Sequence, residues 1–336
     1  MIPESGGYMF TARNYVKVSS LNEAWQLNQR RSCRIVGGMQ WMKMGNGDFN
    51  TIIDLSGLGM DKIEESREGW KIGSMVTLRR MEQCSSLEEY TDGALKEALR
   101  HIVGVQFRNM ATIGGTTAGR FGFSDPLTLL SVMDTSVELY HRGIVSLKEF
   151  IASPRDNDIV SSIIIRKEPS PIRFAYNSMR LTETDIPVLT CAAAIDGHNV
   201  RLAVGARPGI ARTYEEELPA RLQVMIQNAD GDRSTSGDRN TSGDRNTSGD
   251  RNTSGDRNTS GDRNTSGDRN TSGDRNTSGD RNKSAAVSGY PLEFAEDFAR
   301  RAAQSIPVGS NMRGSAAYRK RLIEVLTRRN LETLLY

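Results

Sequence analysis

Three cysteines and three histidines are all that the 336 residues contain. Cys33, Cys84 and Cys191 are far apart, with no CxxC and no Cys/His cluster. That spacing excludes a zinc ribbon, an iron–sulfur ligand set and a disulfide framework, and leaves reduced thiols as the expectation. His101, His141 and His198 are scattered and show neither metal spacing nor a catalytic constellation. Long apolar runs are missing too: none approaches the roughly 18 residues of a membrane span. The first ten residues, MIPESGGYMF, have no basic region followed by an apolar core, so they do not read as a signal peptide. A soluble cytoplasmic protein is expected. An excess of charge is also absent. The net charge is +3, and no basic stripe interleaves with aromatics, so a nucleic-acid partner is not expected. The densest cationic segment, residues 313–329, has helical spacing and reads as a solvated face or a contact with a partner subunit.

What the chain has in excess is a repeat. Residues 231–284 are nine copies of a six-residue unit, GDRNTS, with imperfect first (GDRSTS) and last (GDRNKS) copies. Each copy carries one Asp and one Arg, so the block is near neutral. It holds no aliphatic or aromatic residue, whereas a hexapeptide β-helix needs an apolar side chain in each turn to fill its core. Such a composition does not offset the entropy of ordering, and a disordered loop expansion is the expectation. Closure entropy grows slowly with loop length, so the rest of the fold tolerates it.

Outside the repeat, residues 1–8 read as a disordered leader. A strand at 10–18 is followed by a helix that Ser20 and Glu23 open as a capping box, then by strands at 33–36 and 51–55. Further strands are expected at 70–73, 137–140, 158–166 and 173–179. Helices are expected at 76–82, after Asp92 as cap, and at 127–133. The turn residues Asp196 and Gly197 place a hairpin between 188–195 and 200–204, and helical spacing returns at 215–229, 292–306 and 315–335.

Two glycine pairs stand out. Gly37 and Gly38 follow the apolar residues Ile35 and Val36, and Gly114 and Gly115 follow Thr112 and Ile113 about 75 residues later. A side-chainless pair lets a backbone turn tightly and brings its N–H groups close to a ligand. Thr112, Thr116 and Thr117 add hydroxyls, and Asp125 follows Thr116 by nine residues. A tight glycine turn in a sheet is the plain alternative for either pair. Two such loops in one half of a chain read as two faces gripping one long phosphate-bearing ligand. No G-x-G-x-x-G opens a helix, so this is not the Rossmann arrangement.

Taken in order, these segments resemble the flavin-binding subunit of the molybdenum hydroxylases, the family of xanthine dehydrogenase and carbon monoxide dehydrogenase. The resemblance covers about residues 9–230 and 285–335. The family's A-G-G-[TH]-[DS] reads here as Val36, Gly37, Gly38, Met39 and Gln40. Its T-[IV]-G-G-[NS] reads as Thr112, Ile113, Gly114, Gly115 and Thr116. Its Q-x-R-N is similar to residues 106–109, its S-D-L-x-P to the segment holding Asp125, its R-x-x-x-D to Arg180 through Asp185 with one extra residue, and its D-x-R-G-[ST]-A-x-Y-R to residues 311–319. The departures are Met39 and Gln40, Thr116, and Asn177 where some relatives carry Lys.

The resemblance implies an α+β, two-subdomain FAD-binding fold of the PCMH/vanillyl-alcohol-oxidase-like kind, at residues 9–85 and 86–180. A small α+β C-terminal domain of a hairpin and helices would follow at 181–336, interrupted by 231–284. It implies FAD held by Val36, Gly37, Gly38, Met39, Gln40 and Trp41 on one side and by Thr112, Ile113, Gly114, Gly115 and Thr116 on the other. Asp125 would bond the ribityl or adenosine part, and Asp185 would lie near the flavin. Trp41 reads equally well as core, and Asp185 as a helix or turn cap. No catalytic acid–base residue and no metal ligand is expected on the chain. The partners implied are a molybdenum-cofactor large subunit and a [2Fe–2S] small subunit in a hetero-oligomer, with electrons leaving through FAD to NAD⁺ or another acceptor. Purine is the first substrate expected, with nicotinate, aldehydes, an aromatic thioester and carbon monoxide left open. A flavin-free structural or assembly subunit is the alternative, and a stand-alone flavin oxidoreductase of the vanillyl-alcohol-oxidase type is disfavoured by the small C-terminal domain.

Overall fold

The computed structural model describes residues 10–235 and 281–336. The expected leader at 1–8 and most of the repeat block lie outside the described residues. The first layer holds β1 (Thr11–Lys17), α1 (Leu21–Asn28), β2 (Cys33–Val36) and β3 (Asp48–Asp54), paired in parallel in the order β1-β3-β2. α1 starts where Ser20 Oγ accepts from Glu23 N (3.1 Å). The Glu23 carboxylate accepts in return from Ser19 N and Oγ, one residue upstream of the reciprocal bond a capping box predicts. Ala24, Ile53 and Leu55 close a small core beneath the sheet.

The second layer is an antiparallel sheet of β4 (Ile63–Glu65), β5 (Gly69–Gly73), β6 (Thr135–Leu139), β7 (Gly143–Ser146) and β8 (Val160–Arg166), in the order β4-β5-β8-β6-β7. Short helices cover it: α2 (Leu78–Glu82), α3 (Ser85–Tyr90), α4 (Ala94–Arg100), α5 (Val105–Met110), α6 (Ile113–Gly119), α7 (Asp125–Leu130) and α8 (Leu147–Ala152). Leu95, Ala98 and Leu99 of α4 are buried as their spacing requires. The cap of α4 is Gly93, in the left-handed region at φ 78°, and not Asp92. The Asp92 carboxylate is drawn away to the Phe174 N–H (3.2 Å).

The third layer pairs β9 (Arg173–Met179), β10 (Leu189–Ile195), β11 (Asn199–Gly205) and β12 (Arg212–Glu217), antiparallel in the order β12-β11-β10-β9. β10 is buried on both faces. Ala192 and Ala194 join the core of the second layer, while Leu189, Cys191, Ala193 and Ile195 pack under α9 (Ala220–Thr235), α10 (Arg281–Ser305) and α11 (Ala316–Leu335). The helix expected from 215 begins only at Ala220. Residues 212–217 zip onto β11 as its edge strand, and Pro219 marks the break between strand and helix. α9 and α10 run into the first and last repeat copies, at 231–235 and 281–284, where a flexible loop was expected. Extending an existing helix fixes one residue per bond gained, which is far cheaper than nucleating one.

Strands also pair across the boundaries expected at residues 85 and 180. β4 and β5 join the sheet of β6 and β8, and β9 joins the C-terminal sheet.

Candidate cofactor-binding site

A cleft of about 510 Å³ opens where the end of β2, the helix α6 and the segment before β8 meet. Its lining includes Val36, Gly37, Gly38, Met39, Gln40 and Trp41 from one segment and Thr112, Gly114, Gly115 and Thr116 from the other. These are all the residues assigned to FAD from the sequence except Ile113, Asp125 and Asp185. Ile113 is fully buried in the core of the second layer.

The glycines divide into two kinds. A Cβ on Gly37 would stand 2.2 Å from Thr112 Oγ1, one on Gly38 only 1.6 Å from Met110 O, and one on Gly114 only 2.4 Å from Ser74 Cβ. These three exist because protein meets protein there. Gly38 lets the turn after β2 lie against the backbone that leads into α6. Gly115 differs: its Cβ would meet only Thr112 Oγ1, at 3.1 Å, and the residue is exposed on the cleft wall.

The second pair is not a loop. Thr112 caps α6, its Oγ1 accepting from Gly115 N at 3.2 Å, and the glycines form the first helical turn. The N–H groups of Ile113, Gly114 and Thr116 bond Val76 O (2.9 Å), Ser74 O (2.9 Å) and Thr112 O (3.0 Å). This segment therefore spends its amides on the protein and offers the cleft a bare surface. The first segment does the opposite. Among the described residues, the N–H groups of residues 37–41 donate to no protein acceptor. Met39 sits in the left-handed region at φ 58°, and Gln40 Nε2 closes the turn on Gly38 O (2.9 Å). Met39 thus presents a backbone N–H without a protein acceptor, whatever its side chain.

Trp41 is both core and cleft wall. It packs edge-on against Phe107 and Phe123, each at 5.2 Å between ring centroids, and lines the cleft half-buried. Arg108, the arginine of residues 106–109, is structural. It clamps the buried Glu82 through Nε (2.9 Å) and Nη2 (3.2 Å) and donates Nη1 to Arg100 O (2.9 Å), which fixes the path into α6.

The electrostatics of the cleft are one-sided. Arg34, Arg120 and Arg155 line it, and none forms an ion pair among the described residues. Arg120 is buried, donates Nη1 to Ser153 O (2.7 Å) and lies over the Phe150 ring at 3.9 Å. Arg155 donates to Gly119 O (2.6 Å). The carboxylates in the lining are already engaged: Asp156 by Arg142 (3.0 Å), and Asp158 by the N–H groups of His141, Arg142 and Ile159. Ser74, Arg120 and Arg155 escaped the sequence reading because nothing local marks them; only tertiary packing brings them to one wall.

Asp125 and Asp185 lie outside this lining. The Asp125 carboxylate is buried and its Oδ1 accepts from both Tyr176 Oη (2.6 Å) and Arg180 Nη2. Burial pushes it up to about 6, against the pull of Arg180 and Tyr176. Arg180 continues to Asp185 O (2.5 Å), and Asp185 Oδ1 faces Arg313 at 3.4 Å. Asp185 thus ties the loop after β9 to the segment before α11, where Arg319 is wholly buried and holds Val188 O (3.0 Å), Gly309 O (2.9 Å) and Asn311 Oδ1 (2.6 Å). Among the described residues, no cluster of His, Cys, Asp and Glu could hold a metal, and no helix is long and apolar enough to cross a membrane.

The whole chain has relatives of the same fold. A quinoline 2-oxidoreductase from Pseudomonas putida 86 superposes with a TM-score of 0.65 at 15% identity, covering 97% of this chain and 98% of that one. A carbon monoxide dehydrogenase from Hydrogenophaga pseudoflava does so with a TM-score of 0.66 at 16% identity, covering 96% of each chain. In sequence, the uncharacterised protein YgfM of Escherichia coli K12 is 27% identical over 159 residues, 47% of this chain. The chain spans only 58% of the length of that relative. Residues 8–167, which carry both glycine segments and the cleft between them, match the model of the FAD binding domain in molybdopterin dehydrogenases. Through these residues the chain is similar to that family of FAD-binding domains.

Proposed function

We propose that the cleft binds FAD and that this chain is the flavin-carrying subunit of a molybdenum hydroxylase. The observation that carries the reading is the row of main-chain N–H groups at residues 37–41 without a protein acceptor, in a cleft whose arginines lack carboxylate partners. Such a wall fits a long ligand with negative charge at its middle, and the diphosphate of FAD supplies that charge. Residues 37–41 would hold the diphosphate by backbone donors. Gly115 would let it approach α6 without a side chain between, and Trp41 would close one end of the wall.

When bound, FAD would supply the redox chemistry, relaying electrons between iron–sulfur centres of a partner and an acceptor such as NAD⁺. The protein's part is to bind, orient and shield. The molybdenum cofactor and the [2Fe–2S] clusters would sit on partner subunits of a cytoplasmic hetero-oligomer. Quinoline and carbon monoxide name two enzymes that share this fold, so the fold of this chain does not select the substrate. Purine is the substrate to assay first, on the resemblance of residues 103–125.

The test is the visible spectrum of the purified chain, with the chromophore identified after heat release. One FAD per chain, with molybdenum and iron in co-purifying proteins, is the expected result. A colourless chain that also fails to bind added FAD would refute the reading and favour a flavin-free assembly subunit.

A further inference from the structure

Arg120 is out of place for a surface arginine. It is 6% exposed, caps α6 in the left-handed region at φ 43°, and lines the cleft. Its Nη1 is satisfied by Ser153 O and one face of its guanidinium by Phe150, but its Nε–H is buried with no partner. Among the described residues no carboxylate stands within ion-pair distance of it. The acid whose charge acts on it is Asp156, which is itself paired to Arg142 at 3.0 Å. A buried cation left without a counter-charge is costly, and a buried N–H without an acceptor adds to that cost. Burial and then the charge of Arg155 pull its pKa down, as they must where no anion compensates. A second buried donor in the same cleft, Ser74 Oγ, is also without a partner at 4% exposure.

We propose that Arg120 is the charge partner of the bound ligand, its guanidinium countering a phosphate of the nucleotide diphosphate that residues 37–41 hold by their backbone. The assignment rests on the reading of this cleft as a flavin nucleotide site and adds a buried side chain that counters the ligand's charge. Residues 37–41 supply neutral donors; Arg120 supplies the cation. An arginine suits this place because its planar fork keeps Nη1 on Ser153 O while its delocalised charge still reaches the cleft. The same cation would make the cleft discriminate phosphorylated from unphosphorylated ligands.

The experiment measures dissociation constants of FAD, ADP and riboflavin for the full chain and for Arg120→Met and Arg120→Lys, by calorimetry and flavin fluorescence, with thermal unfolding of each apo-protein alongside. ADP carries the diphosphate without the flavin, and riboflavin the flavin without phosphate. Arg120→Met is expected to weaken FAD and ADP about tenfold to a hundredfold, the worth of one charged hydrogen bond. Riboflavin should stay within twofold, and Arg120→Lys should recover part of the loss. If Arg120→Met binds FAD as the unmodified chain does, or loses FAD and riboflavin equally, the proposal is wrong. Should Arg120→Met not fold, Arg120→Lys decides: no weakening of ADP relative to riboflavin overturns the proposal. If the unmodified chain binds ADP in an Arg120-dependent way yet ignores FAD, the flavin reading fails and the role of Arg120 stands.

Discussion

Gly115→Val isolates the ligand from the fold. Gly115 lies on the first turn of α6, exposed on the cleft wall, and the only atom near a new Cβ is Thr112 Oγ1 at 3.1 Å. That hydroxyl must give by a few tenths of an ångström while still accepting from Gly115 N. Against this, replacing glycine inside a helix gains up to about 1 kcal/mol in propensity, less for a β-branched residue. The net change in stability should lie within about 1 kcal/mol. The ligand fares differently. A branched side chain on this bare patch of α6 keeps a phosphate from approaching, and losing one or two charge-assisted hydrogen bonds costs roughly 1.5–3 kcal/mol each. FAD affinity should fall by at least about a hundredfold. Gly38→Ala is the contrast, because its Cβ would stand 1.6 Å from Met110 O, backbone that cannot move without opening the approach to α6. It should lose about 3 kcal/mol or more of stability before any question of binding arises. Urea unfolding of the apo-proteins and FAD titration separate the two. If Gly115→Val retains FAD within threefold, or Gly38→Ala unfolds like the unmodified chain, the division of the glycines into packing and ligand kinds is wrong.

Three further outcomes follow from buried charges. Asp125→Ala should cost about 3–5 kcal/mol in urea unfolding, since it leaves Arg180 buried beside Tyr176 without its carboxylate. The unmodified chain should lose stability from this group as pH rises from about 4 through 6, because the folded carboxyl, near 6, holds its proton above the point where the unfolded one releases it. Asp125→Asn should flatten that part of the profile. Glu82 behaves with the opposite sign: burial raises its pKa, but bonds from Arg108 and Arg79 outweigh burial and hold it below the usual value. Its contribution is present above the unfolded pKa and lost on acidification, and Glu82→Gln should remove that acid sensitivity in thermal scans at pH 3 to 5. Arg319→Lys should destabilise nearly as much as Arg319→Met, by about 3 kcal/mol or more in either case, since one ammonium cannot span Val188 O, Gly309 O and Asn311 Oδ1 at once.

Most of the sheet framework was legible because it is written locally. Arg173–Met179 and Cys33–Val36 form where their residues alternate or run apolar, and Asp196 with Gly197 turns the hairpin between β10 and β11. What was not legible is what the tertiary fold decides. Asp92 caps nothing because Phe174, far along the chain, takes its carboxylate. Residues 215–217 are a strand because β11 offers them an edge, although their own spacing allows a helix. The glycine pairs show the distinction most sharply. Both were found from sequence, and both were read as loops that present N–H groups to a ligand. In the structure, Gly37, Gly38 and Gly114 let segments that lie far apart in the chain touch, and the amides at the start of α6 are consumed in that contact. Only residues 37–41 keep their donors, and only Gly115 keeps its face clear. A glycine pair announces a close approach of backbone to something; whether that something is a ligand or the protein itself depends on what the rest of the chain brings opposite. The cations that complete the wall, Arg34, Arg120 and Arg155, come from three separate segments. Their lack of carboxylate partners is a property of the fold alone, and it is on that lack that the proposal of an anion in the cleft rests.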